Sequence, residues 1–470
     1  MSTELRIAVV GHTNTGKTSL MRTLLHDVEF GEVSDRPAVT RDVQAAALVV
    51  NPEPGRSNKP ARVLLWDTPG LEDSIGLWDH LQQMRGQQRT DGLELIEEFL
   101  ESPAAEGRFR QEAKALQQVL ASDLALYVVD ARDRVMGKHR DELSILGYCA
   151  RPVVPVLNFV ASPEARTAEW REHLSRVNMH AVAEFDTVAF DARSEQRLFE
   201  KMMSLLDDFR PLLSDLIEDR KKRRRELVRA SAAVIAEMLI DAAACVVSVP
   251  LHDRRLREET LEKFKTLIRQ REQDCVAELL ELHRFRSEDQ PEDVLPLTDG
   301  KWGADLFSPA ALKQFGLLTG GGAAAGAMVG LSIDALLGGM SLGAGALLGA
   351  AAGALLGAGK AQGKSLLRRA GGKVELRCDD ATLELLKTRS LALADALLHR
   401  GHAALQPVKL KLPEKDSPDQ QSWQKLWDEV RLHPRWARSM PGDEDFTADP
   451  LRDKTLQEMT DLLLKKLSQD

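Results

Sequence analysis

The chain has 470 residues, 43% of them hydrophobic and 29% charged, and a formal net charge of −9. That length calls for two to four folding units with separate cores, and the composition is that of a folded soluble protein leaning to helix rather than of a disordered chain. The acidic balance argues against a surface built to coat nucleic acid, while Cys149, Cys245, Cys275 and Cys378 are too scattered for a zinc cluster or a disulfide framework and fit a reducing, cytoplasmic setting.

The first twenty residues carry no export signal; they run directly into a strand and a glycine turn. From residue 6 to about 191, the β-rich runs Ile7–Val10, Ala45–Val50, Val63–Trp66, Leu124–Val129, Val153–Leu157 and Val188–Phe190 alternate with helical or irregular stretches. This alternation predicts an α/β domain over residues 1–208 with a mostly parallel, six-stranded sheet. Its working loops belong at the carboxyl ends of the strands. A helical insertion is predicted over about 72–123, broken at Ser102-Pro103.

Beyond Arg210 the strand signal ceases and an all-α C-terminal half is expected. Residues 209–300 form a helical region in which the basic run Arg220–Arg225 opens a helix continuing through Ser231–Val249, followed by a polar, proline-bearing linker over 286–299. Residues 301–370 contain a glycine-rich helical hairpin, 317–336 and 340–359. Residues 371–470 form a C-terminal helical region whose tail places Leu456, Met459, Leu463 and Leu467 on one face, ready to pack on another helix.

The chemistry concentrates in the first domain. Gly11-His-Thr-Asn-Thr-Gly16-Lys17-Thr18 follows an apolar strand and precedes the helical run Ser19–Leu25. Glycines at that spacing let backbone N–H groups curl around phosphates, Lys17 reaches the β and γ oxygens, and the Thr18 hydroxyl is placed to ligate Mg²⁺. Asn14, Thr15 and Ser19 complete the nucleotide-binding set around this loop. Asp67-Thr-Pro-Gly70 ends another strand, so Asp67 is expected to hold Mg²⁺ through water and the Gly70 N–H to sense the γ-phosphate. Thr40, in a loop before a strand, suits a switch threonine that joins the Mg²⁺ shell only with a triphosphate.

The segments GHTNTGKTSL, PAVTRD and WDTPG together resemble the Era/TrmE-like branch of small bacterial GTPases over about residues 5–208, and the whole layout resembles bacterial GTPases whose C-terminal half is a domain of unknown function. The resemblance implies that Asn158 occupies the asparagine position of the base-reading NKxD motif, and that the Ala192 backbone lies near the base. It departs from the motif at Phe159 and Ala161, where the family has lysine and the guanine-reading aspartate, which leaves GTP and ATP both open. Leu71 stands where relatives carry a water-orienting glutamine, implying slow intrinsic hydrolysis by a catalytic set of Lys17, Thr40, Gly70 and Leu71. Asn14 resembles the asparagine that helps hold K⁺ near the phosphates, and serves equally as a turn residue. Glu72 and Asp73 are either water-orienting carboxylates or solvated turn residues.

In the hairpin, glycines recur every fourth residue at Gly322, Gly326, Gly330 and at Gly345, Gly349, Gly353, Gly357, which permits close helix packing. Two segments of about 30 Å fit either a membrane hairpin flanked by Lys313, Lys360, Lys364, Arg368 and Arg369, or a soluble packing element; Asp334 near the tip opposes the first. The basic run at 220–225 reads as a contact for anionic membrane lipid or as a solvated helix face. The expectation is a GTP/GDP switch at the inner face of the cytoplasmic membrane, with a homo-oligomer or membrane-protein partner and no nucleic acid. Its alternatives are a cytosolic assembly or RNA-linked GTPase, and a nucleotide-binding scaffold with negligible turnover.

Overall fold

The computed structural model describes residues 4–25, 43–50, 61–86, 91–250, 254–284, 297–298, 301–302, 305–307, 373–399, 420–438 and 449–468. Thr40 and the two hairpin segments 317–336 and 340–359 lie outside them. The described chain falls into two units, residues 1–225 with 399–406, and residues 226–398 with 407–470.

In the first unit a six-stranded sheet has the order β2-β3-β1-β4-β5-β6. Its strands are β1 (Glu4–Val10), β2 (Gln44–Val50), β3 (Ala61–Asp67), β4 (Leu124–Asp130), β5 (Val153–Asn158) and β6 (Ala183–Glu184). All neighbouring pairs are parallel except the edge pair β2–β3, the result expected of a mostly parallel sheet. Alternation along β1 divides the core. Leu5, Ile7 and Val9 join a cluster with α1 (Lys17–Leu25), α8 (Ala192–Met203) and Leu212, Leu213, Leu216 and Ile217. Ala8 and Val10 join one with α2 (Ser74–Arg85), α3 (Gly92–Leu100), α4 (Pro103–Glu106), α5 (Arg110–Leu120), α6 (Gly137–Tyr148) and α7 (Thr167–Arg176). Covering both faces explains why β4 and β5 are buried along their whole length. The insertion is helical, with Pro103 opening α4 after Ser102.

The run Val188–Phe190 does not form the sixth strand. The Asp186 carboxylate takes the amides of Val188 and Ala189, which removes two ladder donors, and pairing with β5 occurs earlier, at Ala183–Glu184.

The second unit is chiefly helical. The long helix α9 runs from Arg210 to Ala244, so the basic run lies within it rather than at its start. Val246–Pro250, partly expected as helix, is strand β7. Its β-branched residues pair antiparallel with β10 (Lys373–Arg377), and β8 (Leu297–Thr298) pairs with β9 (Lys301–Trp302). The second unit's core gathers the α9 residues Val228–Ala244 with α10 (Arg254–Leu282), α11 (Asp380–Leu398), α12 (Gln420–Arg431) and α13 (Pro450–Leu467). The tail stripe behaves as its spacing indicates: Met459, Leu463 and Leu467 are buried and Leu456 packs beside them. Within this core Arg389, fully buried, donates to Glu272 at 2.9 and 3.3 Å.

Candidate functional site: a phosphate loop and its neighbours

The loop between β1 and α1 adopts backbone conformations that explain its glycines. Gly11 has φ +146°, and a Cβ there would meet the Val128 carbonyl oxygen at 2.3 Å; Gly16 has φ +87°, and a Cβ would meet Asn158 Nδ2 at 2.3 Å. Asn14, exposed, takes the left-handed conformation at φ 63°, which asparagine tolerates better than most residues. Lys17 is buried. Its ammonium donates to the carbonyls of His12 at 2.7 Å and Gly11 at 3.2 Å, and burial lowers its pKa against the opposing pull of Asp67.

Thr18 and Asp67 meet at the start of α1 and the end of β3, where the Thr18 hydroxyl donates to Asp67 Oδ2 at 2.5 Å. Asp67 is fully buried; burial raises its pKa, with the Thr18 hydroxyl and Lys17 ammonium pulling the other way. Asp67 Oδ1 is buried without a hydrogen-bond partner among the described residues. A buried carboxylate oxygen left open beside a hydroxyl suits a hard divalent cation that takes few protein ligands and keeps its waters. No cluster of three or more His, Cys, Asp or Glu able to hold a metal occurs among the described residues.

The segment after Asp67 lies against the loop. A Cβ on Gly70 would come within 2.6 Å of Thr13 Cγ2 and 2.8 Å of its amide nitrogen. Leu71 donates its N–H to the Gly11 carbonyl at 3.1 Å, and its carbonyl lies 2.7 Å from His12 Nδ1. Because that carbonyl can only accept, Nδ1 carries the proton. The same nitrogen lies 3.0 Å from Oε1 of Glu142, a fully buried residue whose Oε2 accepts the Tyr127 hydroxyl at 2.6 Å. The Leu71 side chain is buried and has no polar atom with which to orient water. The amides of Glu72 and Asp73 both donate to Glu112 Oε1, from the insertion, at 3.0 and 2.9 Å. Asp73 caps α2 through Gly76 N–H and pairs with Arg108.

Asn158, fully buried at the end of β5, ties three loops together. Its Nδ2 donates to the Thr15 carbonyl at 3.0 Å, and its Oδ1 accepts from Phe159 N at 2.9 Å and from Thr187 N and Oγ1 at 3.1 Å each. Phe159 has φ 57°, and its ring lies close enough to Gly16 that a Cβ there would sit 3.2 Å from Cζ. The Arg132 guanidinium lies 4.1 Å from the centroid of that ring, held in a bidentate pair with Asp130, Nε donating to Oδ1 at 2.9 Å and Nη2 to Oδ2 at 2.6 Å. Ala192 opens α8, where Asp191 accepts from the amides of Arg193 and Ser194. Thus Lys17, Thr18, Asp67, Gly70, Leu71 and Asn158 converge on the phosphate loop. The sequence reading missed His12, Glu112, Glu142, Asp186 and Thr187; apart from the position of His12 inside the motif, no local signal marks them.

The family described as a domain of unknown function (DUF3482) matches residues 171–459, more than half of the chain. The chain belongs to this family. In this DUF3482 protein a second family, described as 50S ribosome-binding GTPase, matches residues 6–159. Residues 6–159 therefore belong to a GTPase domain, and the DUF3482 match begins at residue 171, ahead of β6, and runs on through the helical second unit. Two curated relatives, GTPase Der of Bartonella tribocorum and of Bartonella henselae, are each 29% identical over 168 residues, 35% of this chain. The match spans 27% of the length of each relative. Among solved structures, an Era variant of Aquifex aeolicus bound to GDP·AlF4⁻ matches with a TM-score of 0.27 and 17% identity, covering 50% of this chain and 68% of that one.

Proposed function

We propose that the chain is a Mg²⁺-dependent switch that binds GTP and hydrolyses it slowly. The observation that carries this reading is the pairing of Thr18 with the buried Asp67, whose second carboxylate oxygen is open, beside a phosphate loop that also holds Lys17. In this proposal the loop amides from Asn14 to Ser19 and the Lys17 ammonium bind the phosphates, drawing Lys17 away from the Gly11 and His12 carbonyls. Thr18 and Asp67 hold Mg²⁺, which supplies charge neutralisation on the phosphate oxygens when bound. Gly70 N–H and Thr40 respond to the terminal phosphate, Asn158 fixes the loops around the nucleoside, and the Ala192 backbone lies near the base. With Leu71 unable to orient water, turnover depends on other groups, and Asn14 is the proposed holder of a K⁺ ion that adds positive charge.

Membrane attachment is the finer part of the proposal and rests on the glycine-spaced segments 317–336 and 340–359. No described helix is long and apolar enough to cross a bilayer. The basic run gives this part little support: Arg220 donates to the Leu24 carbonyl at 2.6 Å, while Lys221 and Arg223 pair with Glu218 and Asp219. The description of the GTPase family favours a second reading, an RNA- or ribosome-linked GTPase whose hairpin only packs.

The test is phosphate release from GTP by the full chain and by Lys17→Ala and Asp67→Ala, in potassium and in sodium buffer. The proposal expects turnover that both substitutions abolish and that potassium raises; turnover insensitive to Lys17→Ala would sink it. Cosedimentation with anionic vesicles and, separately, with large ribosomal subunits decides between the two settings.

A further inference from the structure

We infer that Asp186, in the loop after β6, supplies the guanine-reading carboxylate absent at Ala161. The inference rests on the nucleotide-site reading above. The position three residues after Asn158 carries only the exposed methyl of Ala161, which can accept nothing from a base edge. Yet a carboxylate lies beside that position: Asp186 Oδ2 accepts the Ala161 amide at 2.9 Å. Its Oδ1 accepts the amides of Val188 and Ala189 at 2.8 and 2.9 Å. Asp186 is 7% exposed, so it is held rather than solvated.

The acceptor capacity of the group points to a ligand. An ionised carboxylate offers about four lone-pair sites, and three protein amides use three of them, two on Oδ1 and one on Oδ2. The remaining site is on Oδ2, the oxygen next to Ala161. Guanine presents N1–H and a 2-amino group along one edge, both donors, whereas adenine presents an acceptor at N1 and no 2-amino group. A carboxylate oxygen with one open lone pair favours the first edge and repels the second.

The surroundings fix this oxygen in place. The loops after β5 and β6 are joined twice, by Asn158 reaching to Thr187 and by Asp186 reaching back to Ala161, so neither loop shifts alone. Ser162, the other polar group near this position, accepts the Glu164 amide at 3.3 Å and closes its own turn.

The test is calorimetric affinity of the full chain for GDP, inosine diphosphate, ADP and inorganic pyrophosphate, for the natural protein and for Asp186→Ala and Asp186→Asn, with melting curves to confirm folding. The natural protein is expected to prefer GDP and inosine diphosphate, both of which carry N1–H, to ADP by about 30-fold, the size of one hydrogen bond to a charged acceptor. In Asp186→Ala these ratios fall below about threefold while pyrophosphate affinity is unchanged. If Asp186 only braces the loops, all three nucleosides weaken together and the ratios persist, which overturns the inference. Retention of the full GDP preference in Asp186→Asn overturns it equally. If the natural protein binds GDP no better than pyrophosphate, the nucleotide-site reading itself fails.

Discussion

Replacing Asn158 with alanine should open the phosphate site without touching a phosphate-binding residue. The amide of Asn158 makes four hydrogen bonds: one donated to the Thr15 carbonyl and three accepted from Phe159 N, Thr187 N and Thr187 Oγ1. Asn158 and Thr187 are fully buried and Thr15 is 5% exposed, so water cannot readily replace the lost partners. The bond from Phe159 N lies within one loop, so three of the four cross between loops; at about 1 kcal/mol for each, the loops lose about 3 kcal/mol of mutual restraint, equivalent to roughly 150-fold more opening. Hydrogen exchange followed by mass spectrometry on peptides covering residues 155–190 reads this opening directly. Asn158→Asp separates the two ends of the amide: it keeps the acceptor side but sets an oxygen against the Thr15 carbonyl. It should therefore exchange faster than the natural protein at neutral pH and recover partly in acid, where the protonated carboxyl donates. A change of less than tenfold in Asn158→Ala would refute the idea that this side chain holds the loops together.

Three further outcomes follow from the same geometry. Gly70→Ala puts a methyl within 2.6–2.8 Å of Thr13 and should push the Asp67–Leu71 segment off the phosphate loop, lowering affinity for a nucleoside triphosphate more than for a diphosphate in paired titrations. Arg389→Ala leaves Glu272 buried without the guanidinium that now holds it, costing about 3–5 kcal/mol, and replacing both residues with methionine should restore much of the loss in denaturant unfolding of the second unit. His139 is held neutral: burial lowers its pKa from 6.5 to about 4, and its Nδ1 accepts the Met136 amide. Its contribution to stability is thus complete above pH 6.5 and lost as pH falls towards 4, so melting curves for His139→Gln should show a flatter pH dependence across that window.

The phosphate loop was legible because its chemistry is local: the glycines at 11 and 16 must adopt their backbone conformations within a few residues, and Lys17 and Thr18 follow at once. Apolar runs likewise located β1, β3, β4 and β5, and Pro103 marked the break in the insertion. What escaped was set by distant partners. Val188–Phe190 has strand-like residues, but Asp186 claims its amides; Val246–Pro250 becomes a strand only through pairing with residues beyond 370. Sequence also gives no means of telling a solvated acid from a buried one. Glu72 and Asp73 read as water-orienting or solvated carboxylates, whereas in the structure their amides are held by Glu112, 39 residues beyond Asp73, and the Asp73 carboxylate caps α2 and pairs with Arg108.

The pairing of β7 with β10 bears on the order in which the chain assembles. Every strand of the first sheet has been synthesised by Glu184, so that sheet can close while the rest of the chain is still being made. Strand β7 is made by Pro250 but finds its partner only at Lys373, after a loop of about 120 residues whose closure is slow and entropically opposed. During that interval the apolar side chains of β7 have no ladder to join. A nascent chain halted between residues 250 and 373 should carry a finished first sheet and an exposed, aggregation-prone strand, the state in which this protein most needs a chaperone.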